Sequence, residues 1–257
     1  MAADLLGTTR RARNLALARP FAGVCGFAAM WWRGWWWATP PVMFGIFVAV
    51  VTVTHDIVHR SLGLSDRATE WALFLLGLVL MESGHAYRIT HLQHHRVFPG
   101  DGDPEGYPAR LSLLGAVMYG PVFLVRLWCW AWRRSRSHAR QRAWLAIEAS
   151  GPLAALVIGG TLLSSTRAVL AYAVMAIAGS WVYPLLTVYL PHHGYGDSPL
   201  TQTRTLRGRI VPAIFLELTY HLEHHLYPKV PSHHLATLAR RLDPFLEEAG
   251  VRPRRVI

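Results

Sequence analysis

Three short motifs hold most of the histidines whose spacing suits metal chemistry. They read HDIVH at residues 55–59, HLQHH at residues 91–95 and HLEHH at residues 221–225. In an α-helix, residues three or four positions apart lie on the same face, so each motif would present its imidazole rings in one direction. Each motif is therefore predicted to form a helical cluster of candidate metal ligands.

Imidazole in its neutral form is the commonest metal-binding side chain. The three motifs supply eight such rings, and His192 in the sequence YLPHH adds a ninth nearby. This number exceeds the four ligands of a tetrahedral zinc site, which favours two metal ions of higher coordination number, each with an open position. Iron is the expected metal because imidazole suits it and oxygen chemistry uses open sites. A bis-histidine haem would need only pairs of histidines on facing helices.

Long apolar runs separate these motifs, in a chain that is 52% hydrophobic. A helix needs about 20 apolar residues to cross a bilayer core roughly 30 Å thick. Four runs approach this length, at residues 14–32, 35–54, 143–163 and 168–190. Several such runs argue against the buried helices of a soluble protein. They predict an all-α integral membrane protein with about four transmembrane helices, folded as a single domain over residues 1–257.

The net charge of +11 is concentrated in arginine clusters beside the apolar runs. Arginines occupy three of residues 10–13, and further clusters lie within residues 133–142 and 240–255. Basic clusters that flank membrane spans mark the cytoplasmic side. The spans therefore account for the charge, and no nucleic-acid partner is expected. Both termini are predicted to be cytoplasmic, with a bacterial inner membrane as the expected location.

Two further apolar segments are predicted to lie in the membrane interface without crossing it. Residues 71–81 are too few for a crossing. Residues 111–132 are long enough, but a crossing there would carry the arginine cluster at 133–142 to the outside, against the charge rule. With four crossings, regions 55–110 and 191–250 both emerge on the cytoplasmic face. All the histidine motifs then meet on one side of the membrane.

Polar residues near the motifs are candidates for orienting the ligands. A ligating imidazole usually donates its other N–H to a carboxylate or a carbonyl. Asp56 and Glu223 lie inside motifs, and Asp103 lies in PGDGDPEG, a sequence that equally fits a plain turn. His85 precedes the second motif and is predicted to be an interfacial or outer-sphere residue. No acid–base residue beyond the metal centre is predicted to be catalytic.

The C-terminal segment is predicted to cover the metal site. Residues 233–250 have the pattern of an amphipathic cytoplasmic helix, interrupted at Pro244 because proline removes a helix hydrogen bond. This segment would lie on the same face as the third histidine motif.

The three motifs resemble the histidine boxes of the membrane fatty-acid desaturase and hydroxylase superfamily, in their order and in their positions after membrane hairpins. The resemblance covers roughly residues 35–240. It implies two irons that activate O2, held by the box histidines and by one extra histidine after the last span, a position matched by His192. The ligand set is then His55, His59, His91, His94, His95, His192, His221, His224 and His225.

Within the superfamily, the stretches HDIVHRSLGL, TVYLPHHG and YHLEHHLYPKVP are most similar to bacterial carotenoid ring ketolases and hydroxylases. The implied activity is an O2-dependent monooxygenase reaction at an unactivated C–H bond of a carotenoid β-ionone ring. An acyl-lipid desaturase or hydroxylase is the alternative. Electrons would come from an external donor of the ferredoxin type, because nothing in the sequence resembles a flavin, haem or iron–sulfur domain.

A membrane metal-binding or transport protein is the remaining, non-enzymatic alternative. Transport would favour polar residues distributed through the spans, since such residues mark ion pathways. The spans here are nearly bare, and the histidines lie at their ends. This distribution favours an enzyme.

Overall fold

The computed structural model describes residues 2–257, and helices make up most of that part of the chain. The α-helices, in chain order, are α1 Arg10–Trp32, α2 Thr39–Val58, α3 Asp66–Leu80, α4 Gly84–Val97, α5 Leu113–Met118, α6 Gly120–Arg134, α7 Ala139–Thr161, α8 Ala168–Gly179, α9 Leu190–His192, α10 Ile210–Ile214, α11 His221–Leu226 and α12 Leu235–Glu248. The prediction of an all-α protein is confirmed.

The remaining elements are short. Single 3₁₀ turns lie at Ala3–Leu5, Trp36–Ala38, Tyr107–Arg110, Ser180–Val182 and Ser232–His234, and a π-helix covers Pro184–Tyr189. Two parallel two-residue strands, β1 Leu206–Arg207 and β2 Arg254–Arg255, tie the C-terminal end to the segment before the third histidine motif.

Four helical segments are long and apolar enough to cross a membrane: Arg10–Trp32, Trp36–Val58, Ala139–Thr161 and Ala168–His192. Each overlaps a run identified in the sequence, so the prediction of about four transmembrane helices is confirmed. The last span combines α8, the 3₁₀ turn Ser180–Val182, the π-helix and α9, and it ends at His192. The protein is an integral membrane protein.

The second span is the central helix of the bundle. In the most apolar stretch of this span 78% of the residues are buried, whereas the corresponding fractions in the first, third and fourth spans are 11%, 17% and 28%. Its β-branched residues, among them Val50 and Val53, pack against Leu73 and Leu76 of α3. A helix that is apolar all round belongs inside a bundle. The first histidine motif, at the end of α2, is therefore anchored by the best-packed helix.

Helices α3 and α4 meet at an angle of 105°. Met81 ends α3 in the left-handed conformation, and the Ser83 hydroxyl caps α4 by accepting a hydrogen bond from the backbone N–H of Ala86. A Cβ on Gly84 would collide with the backbone of Leu73, so the close approach at the bend requires glycine. The second histidine motif lies on α4, beyond this bend.

The C-terminal helix α12 differs from the sequence prediction at one point. The helix continues through Pro244 to Glu248 and is not interrupted there. Leu235, Leu238 and Leu242 pack with Leu222 of α11 in a small second core, and this packing holds the helix together across the proline. Helix α12 thus lies directly against the helix that carries the third histidine motif.

Candidate metal centre

The structure brings all nine predicted ligands together, although they come from four separate segments. Helix α2 ends at the first motif, α4 and α11 carry the other two, and α9 ends at His192. One group consists of His55, His59, His91, His95 and His224. The ligand nitrogens of these five residues all lie within 4.8 Å of one another. In this group the Nε2 atom of His224 lies 2.9 Å from that of His55 and 2.8 Å from that of His95.

A second group meets the same criterion and consists of His94, His192 and His225. His221 joins it, since its Nε2 lies 3.0 Å from Nε2 of His192 and 3.1 Å from Nε2 of His225. The two groups touch, because the His95 and His225 rings stack with centroids 4.3 Å apart. The nine histidines therefore form two adjoining nitrogen clusters of five and four rings.

The donor set fits two metal ions. Nitrogens bound about 2.1 Å from one metal at right angles are about 3 Å apart, and the observed Nε2–Nε2 distances range from 2.8 to 3.2 Å. His59 Nε2 is buried and has no hydrogen-bond partner among the described residues, a costly state for a polar atom without a ligand. All-imidazole donors suit iron, zinc or copper better than magnesium or calcium.

Burial and mutual proximity favour the neutral form of several of these rings. For His221, His224 and His225, removal from water lowers the pKa well below the ordinary histidine value, and neighbouring imidazoles lower the pKa further. The pKa of His59 is lowered for the same two reasons. A neutral imidazole keeps a lone pair available for a metal, so the environment prepares the rings for ligation.

Hydrogen bonds on the outer side fix the orientation of three rings. The Nδ1–H of His94 donates to Asp103 at 2.8 Å, and the Nδ1–H of His91 donates to Glu105 at 3.1 Å. The Nδ1–H of His192 donates to the backbone carbonyl of Gln202 at 3.1 Å. Each bond leaves Nε2 free to face the cluster, an arrangement found in metal sites whose ligands are held by an outer carboxylate or carbonyl.

Among these partners, Asp103 is an orienting residue predicted from the sequence, and Glu105 lies in the same acidic loop. Glu105 is buried, also accepts a hydrogen bond from Thr90, and has its pKa raised by burial to about 7. In the sequence, the position of Glu105 two residues after Asp103 is the feature that points to a similar role. The sequence does not predict the Gln202 carbonyl as a partner, because every residue type has a backbone carbonyl.

The other three outer-sphere candidates contact different groups. The Asp56 carboxylate accepts from the Ser232 backbone N–H and hydroxyl, and lies 3.6 Å from His55 Nδ1. Glu223 accepts from Arg207 at 2.6 Å, linking α11 to β1. His85 pairs with Glu148, away from the nitrogen clusters. Two of these carboxylates thus fasten the motif-bearing helices to their neighbours.

An apolar cavity opens onto the nitrogen clusters. It has about 1000 Å³ of empty space, part of it open to solvent. Side chains of Phe47, Val51, Leu186 and Phe215 line it, and His55, His91, His94 and His221 form one end. The lining is mostly apolar, and the histidines give it one polar end.

Comparison with known proteins agrees with the fold and the clusters. The model of the fatty acid desaturase family matches residues 31–256. The dihydrorhizobitoxine desaturase of Bradyrhizobium elkanii is 26% identical over 259 residues, an alignment that covers 81% of this chain and 69% of that protein. The family match includes all three histidine motifs and His192, so this membrane oxidoreductase belongs to the fatty acid desaturase family.

Proposed function

We propose that the protein is a non-haem di-iron enzyme that uses O2 and external electrons to oxidise an unactivated C–H bond of a lipid hydrocarbon. The observation that carries the proposal is the pair of nitrogen clusters at the end of an apolar cavity. The irons, when bound, supply the oxygen activation that no side chain can provide.

The chain's own residues hold and orient these components. The nine histidines provide the nitrogen donors, and Asp103 and Glu105 hold His94 and His91 with their Nε2 atoms facing inward. The apolar walls formed by residues such as Val51 and Phe215 exclude water and position the hydrocarbon. Rigid positioning of this kind is a large part of what a protein contributes to a metal-centred oxidation.

A carotenoid β-ionone ring is the first substrate candidate, for hydroxylation or ketolation. It is supported by the stretches YLPHHG and HLEHHLYPKVP, which are similar to those of carotenoid ring ketolases and hydroxylases. The apolar lining of the cavity suits such a ring.

An acyl chain is the second candidate, for desaturation or hydroxylation. Membership of the fatty acid desaturase family and similarity to a named desaturase favour it. Both candidates use the same metal centre and differ in the shape and polarity that the cavity must recognise.

The electron donor is proposed to be an acidic ferredoxin-type protein that docks on a cytoplasmic metal-site face. The arginine clusters beside the spans favour this orientation, in a bacterial inner membrane, by the positive-inside rule. The same charges would attract an acidic partner.

Expression in a bacterial host that accumulates β-carotene tests the function. Pigments and fatty acids from the same cells are separated by chromatography and identified by mass spectrometry, with His94→Ala as the control. Oxygenated carotenoids absent from the control would support the ring oxidase, and a new acyl double bond or hydroxyl would support the acyl enzyme. Absence of both, from protein purified with about two irons and supplied with electrons, would contradict the proposal.

A further inference from the structure

We propose that Arg204 binds a carboxylate on the substrate, and that the substrate is therefore a carboxylic acid with an apolar chain. The inference rests on the proposed function, because it concerns the cavity in which the oxidation would occur.

Arg204 is a half-buried cation in the wall of an otherwise apolar cavity. Its backbone N–H donates to the Pro191 carbonyl at 2.9 Å, which fixes its position beside the end of the last span. One terminal guanidinium nitrogen donates to the His193 carbonyl at 3.1 Å, and the guanidinium carbon lies 4.7 Å from the centre of the Tyr195 ring. These contacts orient the guanidinium without neutralising it.

The guanidinium retains unused donor capacity. Its Nε atom is buried and has no hydrogen-bond partner within residues 2–257, and no Asp or Glu of that range forms an ion pair with Arg204. Arg207, three residues later, pairs with both Glu223 and Asp243. A partly buried arginine without a carboxylate is costly unless a ligand provides one.

Thr219 supplies a second unused donor in the same cavity wall. Its hydroxyl is buried and has no partner in the described chain, and its carbonyl accepts a hydrogen bond from the backbone N–H of Leu206 at 2.9 Å. This bond places Thr219 alongside the strand that begins two residues after Arg204. A guanidinium and a hydroxyl together match the two oxygens of a carboxylate.

The one acidic residue among the side chains that line this cavity is Glu105. Its carboxylate is already engaged by Thr90 and His91. The cavity therefore presents an unsatisfied positive charge, two unused donors and apolar walls. An acid with a hydrocarbon chain satisfies all three features, whereas an unsubstituted carotenoid ring leaves Arg204 without an anion.

Binding to the purified, metal-loaded protein in detergent tests the proposal without turnover. Tritiated dodecanoate is the probe, and dodecanol, methyl dodecanoate and dodecyl phosphate compete for it. The wild-type protein is expected to prefer dodecanoate over the alcohol and the ester by about 10- to 100-fold, the range for a charge-assisted hydrogen bond. Arg204→Gln should abolish this preference, and Arg204→Lys should retain part of it.

Arg209→Gln is the matched control, since Arg209 is exposed and outside the cavity lining. Its preference should equal that of the wild type. Equal binding of acid and alcohol by the wild type, or an unchanged preference in Arg204→Gln, would overturn the proposal, as would tighter binding of dodecyl phosphate than of dodecanoate. If Arg204→Gln does not fold, the wild-type competition series still decides.

The outcome is separable from that of the proposed function. If the protein selects carboxylates through Arg204 but oxidises neither carotenoids nor acyl chains, the role of Arg204 is supported and the proposed oxidation is contradicted. A protein that oxidises β-carotene and ignores dodecanoate would defeat this inference alone.

Discussion

The candidate metal centre and the bend between α3 and α4 both contain buried histidines that donate to carboxylates, and the two regions nevertheless differ in what surrounds the rings. At the metal centre, His94 donates to Asp103 at 2.8 Å, and its Nε2 belongs to the second nitrogen cluster. At the bend, His85 donates to Glu148 at 2.7 Å, and its other nitrogen lies 3.5 Å from a carboxylate oxygen of Glu70.

The surroundings of the second ring nitrogen separate the two regions. His85 stacks on Trp144 with ring centroids 4.8 Å apart and stands between two carboxylates. Glu148 also accepts from the hydroxyl of Ser83, the residue that caps α4. An acid inside a membrane span is expensive unless it is paired within the bundle, and these bonds pair Glu148. The bend is therefore a clamp between α4 and α7, and only the candidate metal centre brings several imidazoles together.

The largest effect is expected at a ligand. His94→Ala removes one nitrogen donor and should reduce the metal content of the purified protein by at least one ion, with activity falling more than about 100-fold. Elemental analysis per mole of protein measures the metal. His85→Ala, at the clamp, is the matched control and should retain full metal content in the folded fraction. Equal metal loss in both variants would contradict the assignment of different roles to the two regions.

A large loss of stability without metal loss is expected at the clamp. Glu148→Ala leaves the His85 imidazole and the Ser83 hydroxyl without their partner and should lower the free energy of unfolding by about 3 kcal/mol. Thermal unfolding in detergent measures the change. Glu247→Ala, at an exposed position of α12, should change stability by less than about 0.5 kcal/mol. Metal release from folded Glu148→Ala protein would contradict the clamp assignment.

A smaller change is expected at the outer carboxylate of the metal centre. Asp103→Asn keeps the shape of the side chain but removes the charge that orients His94, and metal affinity should fall about 10- to 100-fold. Competition with a chelator measures the affinity. Asp101→Asn, at an exposed carboxylate that pairs with Arg110, should leave the affinity unchanged. Equal affinities in the two variants would show that the His94–Asp103 bond does not support the metal.

The smallest effect is expected at an ion pair outside both regions. Arg241 donates to Asp4 at 2.6 Å, and this hydrogen bond lowers the pKa of the carboxyl from 3.8 to about 2. A carboxyl group whose pKa is lower in the folded protein than in the unfolded chain stabilises the folded protein at pH values above the unfolded-chain pKa. That stabilisation is lost as the pH falls through about 2, the pKa in the folded protein.

Because the pair is exposed, solvent screens it and its contribution is small. The melting temperature of the wild type should exceed that of Asp4→Asn slightly and equally at pH 7 and pH 5. The gap should narrow as the pH drops below about 4. A gap that widens on acidification would contradict the sign of the shift.

The sequence alone determined the membrane spans and the histidine motifs. An apolar run of about 20 residues is long enough to cross a bilayer as a helix. Histidines at positions i, i+3 and i+4 of a helix lie on one face whatever the tertiary context. Four spans and the family were accordingly predictable. The ligand roles of the nine histidines remain a prediction, which the two nitrogen clusters support.

The tertiary structure decided the contacts between distant segments. Glu148 lies within a span, and its pairing with His85 depends on how α7 packs against the bend. Pro244 predicted a break that packing against Leu222 overrides. The vacant donors of Arg204 and Thr219 share a cavity because the chain folds them into one wall. Residue type and spacing encode local geometry, whereas partners across the chain depend on packing among many side chains at once.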